Sequence, residues 1–139
     1  MLLPPSMANA AIRKPRPKYL NLAALLFEIR LPLAGWVSIL HRVSGALLFF
    51  AVLWLLFLLD RSLSSAAGFE SVKRYLGVPL VKVSLLVLIW AYCHHFFAGV
   101  RFLALDLHKG VDKDTARITG IVAIVAGLAA TALLGARIW

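Results

Sequence analysis

Four residues near the start of the first long apolar segment have side chains suited to binding a polar ligand inside a membrane. His41, Arg42 and Gly45 follow Ser38 by three, four and seven residues, which places all four on one face of a helix. A hydroxyl, an imidazole and a guanidinium then converge beside a glycine that leaves room for a flat ligand. Inserting an arginine into a membrane span costs about 2.5 to 3.5 kcal/mol, so its presence there indicates a functional site.

The same residues also have a structural interpretation. Arg42 can extend along the helix to reach lipid headgroups, while Ser38 and His41 can bond to neighbouring backbone carbonyls. Their spacing is compatible with both interpretations.

The second apolar segment carries ionisable residues on two helical faces. One face holds His95, Gly99, Phe102 and Asp106, and a second holds His94, Arg101, Leu105 and His108. A neutral imidazole deep in an apolar helix is a good ligand for haem iron, and a glycine one turn away lets a porphyrin approach the backbone. The alternative is a histidine bonded to a neighbouring helix.

Haem held between two histidines needs one imidazole on each side of the porphyrin. Adjacent His94 and His95 project about 100° apart from one helix and cannot supply both. His41 is predicted near the cytoplasmic end of its span and His108 in a connector, so we expect the second ligand to come from another subunit. Cys93 is the only cysteine, and the absence of a CxxCH motif predicts non-covalent haem.

These groups lie in a chain with the composition of a small integral membrane protein. Its 139 residues are 62% hydrophobic, with a mean hydropathy of +0.89. Three stretches reach the roughly 20 apolar residues needed to cross a bilayer. Because backbone groups in lipid must be satisfied internally, we predict an all-α protein with three transmembrane helices at about 35–59, 78–105 and 118–138.

The sequence divides into an N-terminal region, 1–34, and a transmembrane domain, 35–139. We expect a cytoplasmic tail followed by a short amphipathic helix at 20–30, which Pro32 ends or kinks. The first connector, 62–77, contains a candidate interfacial helix with Phe69, Val72 and Leu76 on one face. The second connector, 106–116, is short, so the last two spans are predicted to pack antiparallel. Small residues along the third span suit close helix packing.

The net charge of +9 is better explained by membrane topology than by nucleic-acid binding, because the basic residues flank the spans and form no single stripe. Eight lie on the side of the N-terminus, namely Arg13, Lys14, Arg16, Lys18, Arg30, Lys109, Lys113 and Arg117. Four lie on the other, namely Arg61, Lys73, Arg74 and Arg137. The positive-inside rule therefore predicts a cytoplasmic N-terminus.

Taken together and in order, the motifs resemble the cytochrome b membrane-anchor subunits of succinate dehydrogenase, respiratory complex II. The resemblance runs from about residue 16 to the C-terminus. It rests on Arg30-Leu31-Pro32, on the Ser-x-x-His-Arg-x-x-Gly motif at 38–45, and on His-x-x-x-Gly-x-Arg at 95–101 followed by Asp106.

This resemblance implies a helix bundle formed with a second, smaller membrane-anchor subunit. Such an anchor holds an iron–sulfur subunit, and through it a flavoprotein subunit, on the cytoplasmic face. The implied cofactor is haem b, shared with the second membrane subunit, and the implied substrate is ubiquinone. A bacterial cell inner membrane is the preferred location, and the mitochondrial inner membrane is the alternative. Association of the complex into a higher oligomer is also compatible with the resemblance.

The resemblance also assigns roles to individual residues. Ser38 and Arg42 are expected to line the ubiquinone site and to donate hydrogen bonds to a quinone carbonyl. His95 is expected to be the axial haem ligand. His41 and Arg42 are placed to meet the haem propionates, and Arg101 is expected to support the site.

Two positions near the end of the second motif complete the comparison. Asp106 matches the family pattern and is expected to have a structural or proton-path role. Phe102 departs from it, because some relatives have a histidine there. A propionate or proton-path contact is therefore either absent or replaced by His94 or His108.

Two other functions are compatible with the sequence. One is a purely structural membrane anchor for a soluble dehydrogenase, without functional haem. The other is a stand-alone haem cytochrome or haem-linked transporter, in which a homodimer supplies His95 from each chain. A haem absorption spectrum distinguishes the structural anchor from a haem-binding anchor subunit. Co-purification of several unlike subunits would exclude the stand-alone cytochrome.

Overall fold

A computed structural model of the protein describes residues 31–138, and these form four helices and no strand. Helix α1 spans Leu33–Ser64, α2 spans Ala66–Leu76, α3 spans Pro79–Asp106 and α4 spans Lys113–Gly135. The prediction of an all-α protein is confirmed for this part of the chain. The expected amphipathic helix at 20–30 and the five basic residues before the first span lie outside the described residues.

Three of the helices are long and apolar enough to cross a membrane. They are α1, α3 and α4, with 32, 28 and 23 residues. Each overlaps one predicted span, although α1 extends past residue 59 and α4 begins before residue 118. Most of the extra residues at these ends are polar or charged, so a search for apolar runs alone does not reach them.

Local sequence explains where the first two helices begin and end. Pro32, with a φ of −64°, precedes α1 and its carbonyl accepts the Gly35 N–H at 2.8 Å. Proline suits a helix start because its ring fixes φ and its missing N–H removes a donor that would have no partner. Ser65 separates α1 from α2 and caps α2 by accepting the Gly68 N–H at 3.0 Å.

Helix α2 is the helix that was predicted within the first connector, 62–77. Gly68 and Val72 are buried against the rest of the protein, and Phe69 is exposed. A Cβ atom at Gly68 would collide with the carbonyl oxygen of Arg61. This glycine therefore allows α2 to fold back closely against the end of α1.

A tight connection at residues 107–112 joins α3 to α4. His108 and Gly110 both have positive φ angles, 57° and 74°, which reverse the chain in few residues. Asp112 caps α4 by accepting the Thr115 N–H at 2.9 Å, and this hydrogen bond lowers the pKa of its carboxyl. The cap therefore stays ionised at neutral pH, where its charge suits the helix N-terminus.

Small side chains mark the contacts between the long helices. The buried positions of α1 recur every seven residues, at Val37, Ser44, Ala51 and Leu58. Those of α4 are Gly120, Ala123, Gly127, Thr131 and Gly135. Small residues allow helices to approach closely in a membrane, and the packing role predicted for this part of the sequence is confirmed.

Helices α3 and α4 pack antiparallel, as the short connector predicted. A Cβ atom at Gly135 would lie 2.6 Å from Leu86, near the start of α3, while one at Gly127 would lie 3.3 Å from the Cα of His94. Arg101, further along α3, bonds to Thr119 near the start of α4. Residues later in α3 therefore contact residues earlier in α4, as antiparallel packing requires.

Replacing Gly127 with leucine is expected to lower the free energy of unfolding by about 1 to 3 kcal/mol, as overpacking does elsewhere. The physical reason is that the new side chain meets the α3 backbone at His94. Unfolding of the purified protein in detergent, followed by helix content, measures the change. Ala129→Leu, at an exposed position of α4, is the matched control, and equal losses in both variants would contradict the packing argument.

Candidate functional site

Two stacked imidazoles join α1 to α3. The ring centroids of His41 and His95 are 4.0 Å apart and their planes differ by 9°. The sequence predicted His41 near the cytoplasmic end of the first span and His95 deep within the second. In the structure the two rings are stacked, so they lie at the same depth. Phe102 lies on the other helix beside His41, with centroids 5.1 Å apart. The residue that departs from the family pattern therefore packs on the site's first histidine.

Hydrogen bonds fix the orientation of the His95 ring. Its Nδ1 lies 3.0 Å from the carbonyl oxygen of His41 and 3.3 Å from the Oγ of Ser44. The Ser44 hydroxyl in turn donates to the same carbonyl at 2.9 Å. Ser44 was not among the predicted site residues, although its position three residues after His41 places it one turn further along the same face.

The two glycines of the motifs make room for histidines of the opposite helix. A Cβ atom at Gly45 would lie 2.9 Å from Cε1 of His95, and one at Gly99 would lie 3.5 Å from Nε2 of His41. The sequence predicted that these glycines leave space for a flat ligand. The rings next to them are imidazoles, and the absence of a Cβ at Gly45 lets α1 and α3 approach closely, whereas the contact at Gly99 is an ordinary van der Waals distance.

The adjacent histidines of α3 have different surroundings. His94 is only 2% exposed, and its ring stacks on Trp90 with centroids 5.6 Å apart. Its Nε2 is buried without a hydrogen-bond partner. Nε2 of His95 is not among the buried unpartnered atoms of the described residues, and His95 is only partly buried. An external group can therefore reach His95, whereas it cannot reach His94 without opening the helix packing.

Arg101 points toward α4 and away from the stacked histidines. Its Nε donates to Thr119 Oγ1 and its Nη2 to the Ala116 carbonyl, both at 3.2 Å. The side chain is 7% exposed and Nη1 is buried without a partner. Its guanidinium also lies 5.4 Å from the centre of the Phe102 ring. These contacts tie α3 to α4 next to Phe102.

The remaining predicted residues are not held by contacts within the described part of the chain. Ser38 is half-buried, while Arg42 and Asp106 are exposed. Their side chains form no hydrogen bond or ion pair with residues 31–138. The helical repeat places Ser38 and Arg42 on one face of α1, and their polar groups remain available to a ligand. His108 is exposed in the connector after α3.

A cavity of about 650 Å³ opens between the starts of α1 and α4. Its lining includes Pro32 and Leu33 from α1 and its approach, with Lys113, Asp114 and Arg117 from α4. Two of the basic residues that determined the predicted topology therefore lie beside the start of the first span. The arrangement agrees with the expectation that these segments share one membrane side.

The donor set fits an iron whose equatorial ligands come from a porphyrin. No group of three or more His, Cys, Asp or Glu side chains within residues 31–138 is arranged to hold a metal ion. His95 instead offers one imidazole whose Nδ1 is engaged and whose Nε2 has no partner in that range. A histidine imidazole is one of the side chains that bind haem iron in proteins.

Comparisons with known proteins agree with the motifs. Residues 13–134 match the family described as succinate dehydrogenase/fumarate reductase transmembrane subunit. The succinate dehydrogenase cytochrome b556 subunit of Coxiella burnetii is 32% identical over 125 residues, which cover 89% of this chain and 97% of that protein. The subunit of the same name from Rickettsia felis is 30% identical over 105 residues, or 76% of this chain and 82% of the relative. That of Paracoccus denitrificans is 29% identical over 109 residues, covering 76% and 80%.

Proposed function

Because the chain belongs to the succinate dehydrogenase/fumarate reductase transmembrane subunit family, we propose that it binds haem b and forms part of a ubiquinone-reduction site. In this role it is the membrane-anchor cytochrome b subunit of a succinate:quinone oxidoreductase. The observation that carries the proposal is His95, whose Nδ1 is held by the His41 carbonyl at 3.0 Å. Metal-binding histidines commonly donate their second ring N–H to a carbonyl in this way.

His95 and His41 would hold the haem from this chain. His95 would bind the iron through Nε2, because Nδ1 is engaged by α1. His41, stacked on it, would meet a propionate together with Arg42. When bound, haem b supplies reversible one-electron storage. The second axial ligand is expected from the smaller membrane subunit, since His94 is enclosed in this chain's own packing.

Ser38 and Arg42 would bind the quinone at the cytoplasmic end of α1. Both can donate hydrogen bonds to a quinone carbonyl oxygen, and neither donor is engaged by the described residues. Negative charge develops on that oxygen as the quinone is reduced, and a fixed positive charge stabilises it in a site of low dielectric constant. Protons are needed to complete the reduction. Asp106 is an exposed carboxyl at the C-terminal end of α3, on the predicted membrane side of Ser38 and Arg42.

The outer surface of α1 suits contact with lipid and with a second membrane subunit. Phe49, Phe50, Leu53 and Phe57 are each 64 to 70% exposed. The iron–sulfur subunit, and through it the flavoprotein subunit, would dock on the side where the basic residues cluster. By the positive-inside rule this side is the cytoplasm of a bacterial cell, and the Coxiella and Rickettsia relatives support the bacterial inner membrane.

Purification through an affinity tag on this chain is expected to recover three unlike partners, a small membrane subunit, an iron–sulfur subunit and a flavoprotein. The preparation should reduce a soluble ubiquinone analogue with succinate as the electron donor. Membranes lacking this chain should lose that activity and release the flavoprotein into the soluble fraction. Recovery of this chain alone, as a homodimer containing haem, would contradict the proposal in favour of a stand-alone cytochrome.

A further inference from the structure

We propose that Ser44 is a positioning residue that fixes His95 in one tautomer, with the proton on Nδ1 and the lone pair on Nε2. The inference rests on the proposed haem role of His95. It assigns a function to a residue that the motif contains but that the proposed function does not use.

The proton positions follow from the groups around Nδ1. The carbonyl oxygen of His41 carries no proton, so the Ser44 hydroxyl at 2.9 Å must donate to it. The Ser44 oxygen then has only lone pairs to offer Nδ1 at 3.3 Å. The same carbonyl lies 3.0 Å from Nδ1 and can only accept. Two acceptors therefore face Nδ1, and Nδ1 must carry the proton.

Packing prevents the ring from leaving this arrangement. Ser44 is completely buried, so water cannot replace its hydroxyl as a partner of Nδ1. The His41 ring covers one face of His95 at 4.0 Å, and Gly45 lies against the ring edge at Cε1. A rotated ring would lose both hydrogen bonds inside a closed contact, where unpaired polar groups are costly.

The consequence is a preorganised metal ligand. With Nδ1 protonated and held, Nε2 keeps its lone pair and its direction before any iron binds. Hydrogen bonds to the second ring nitrogen also make a histidine a stronger donor to its metal. A stronger donor favours the ferric state, so Ser44 is expected to lower the haem reduction potential as well as to retain the haem.

Ser44→Ala in the purified complex is the direct test. We expect haem transfer to apomyoglobin to become about 10- to 100-fold faster, as loss of such a partner weakens metal binding elsewhere. We also expect a positive shift of the haem midpoint potential and a changed low-spin ferric EPR signal. Ser62→Ala is the matched control, because Ser62 makes the same bond to a carbonyl three residues back, at 2.8 Å to Leu59, on an exposed part of α1.

Ser44→Cys provides a second variant of nearly unchanged volume, with a thiol that is a weak acceptor. It should show the same directions of change by smaller amounts and keeps the test valid if Ser44→Ala fails to assemble. Haem transfer, potential and EPR signal equal to those of Ser62→Ala would overturn the role of Ser44 while leaving the haem proposal intact. A wild-type complex without haem would instead overturn the proposed function on which the inference rests.

Discussion

Replacing His95 with alanine in the assembled complex is expected to remove the b-type haem absorption, with haem content falling more than 10-fold. Among residues 31–138, His95 is a partly buried imidazole whose Nδ1 is held at the α1–α3 contact, which leaves its Nε2 to bind an iron. Losing an axial ligand leaves the iron without its protein bond on that side. Reduced-minus-oxidised spectra and a pyridine haemochrome assay of the purified complex measure the change.

His94→Leu is the matched control for this prediction. It removes an imidazole of the same type from the next position, but that imidazole is 2% exposed and its Nε2 has no partner. Leucine fills most of the space of the ring, and the variant loses only an imidazole that is enclosed in the packing and bonded to the Val37 backbone. We therefore expect haem content near wild type. Loss of haem in His94→Leu with retention in His95→Ala would reverse the ligand assignment.

Arg42→Ala is expected to reduce succinate:quinone activity by about 100-fold or more, the scale on which removal of a single oxyanion donor acts in other enzymes. The guanidinium has no partner among the described residues and is the nearest positive charge to Ser38 on the same helical face. Succinate-dependent reduction of a dye that accepts electrons at the flavoprotein should remain unchanged. The ratio of the two activities is the quantity to measure.

Two further variants define the result for Arg42. Arg61→Ala removes an exposed arginine from the last turn of the same helix, on the opposite membrane side, and should leave the ratio unchanged. Ser38→Ala removes a neutral donor and should lower quinone reduction by a smaller factor than Arg42→Ala. Equal activity in Arg42→Ala and Arg61→Ala would show that Arg42 serves only to reach lipid headgroups.

Much of the fold could be predicted from the sequence because the bilayer imposes simple rules. Runs of apolar residues had to be helices, and the short connector after α3 required antiparallel packing. Small residues at Gly120, Ala123 and Gly127 indicated a close contact that burial confirms. The ends of α1 and α4 were less accurately predicted, since polar turns such as Asp114–Arg117 continue a helix beyond its apolar run.

The details of the site depended on tertiary contacts that spacing does not reveal. The sequence showed that His94 and His95 face different directions, but not that both reach α1, His94 at the Val37 backbone and His95 at His41 and Ser44. It also predicted open space at Gly45 and Gly99, where the structure has the rings of His95 and His41. Each ring belongs to a helix 50 or more residues away from the glycine in the chain, which no local pattern encodes.

The contacts of Arg101 also could not be predicted from local spacing. Its place in the motif suggested a supporting role but not its partners, which are Thr119 and Ala116 on α4. A buried arginine needs partners for its donors, and the nearest carbonyl and hydroxyl belonged to the third span. That span appeared in the sequence only as a scaffold of small residues.

The most direct test of the central claim is the haem content of the complex purified through this chain. A dithionite-reduced minus oxidised spectrum, with haem quantified against the protein, is predicted to show about one b-type haem for each copy of the chain, together with the flavin and iron–sulfur signals of the partner subunits. A complex that contains those partners but has no b-type haem would contradict the claim that this chain is a haem-binding cytochrome subunit.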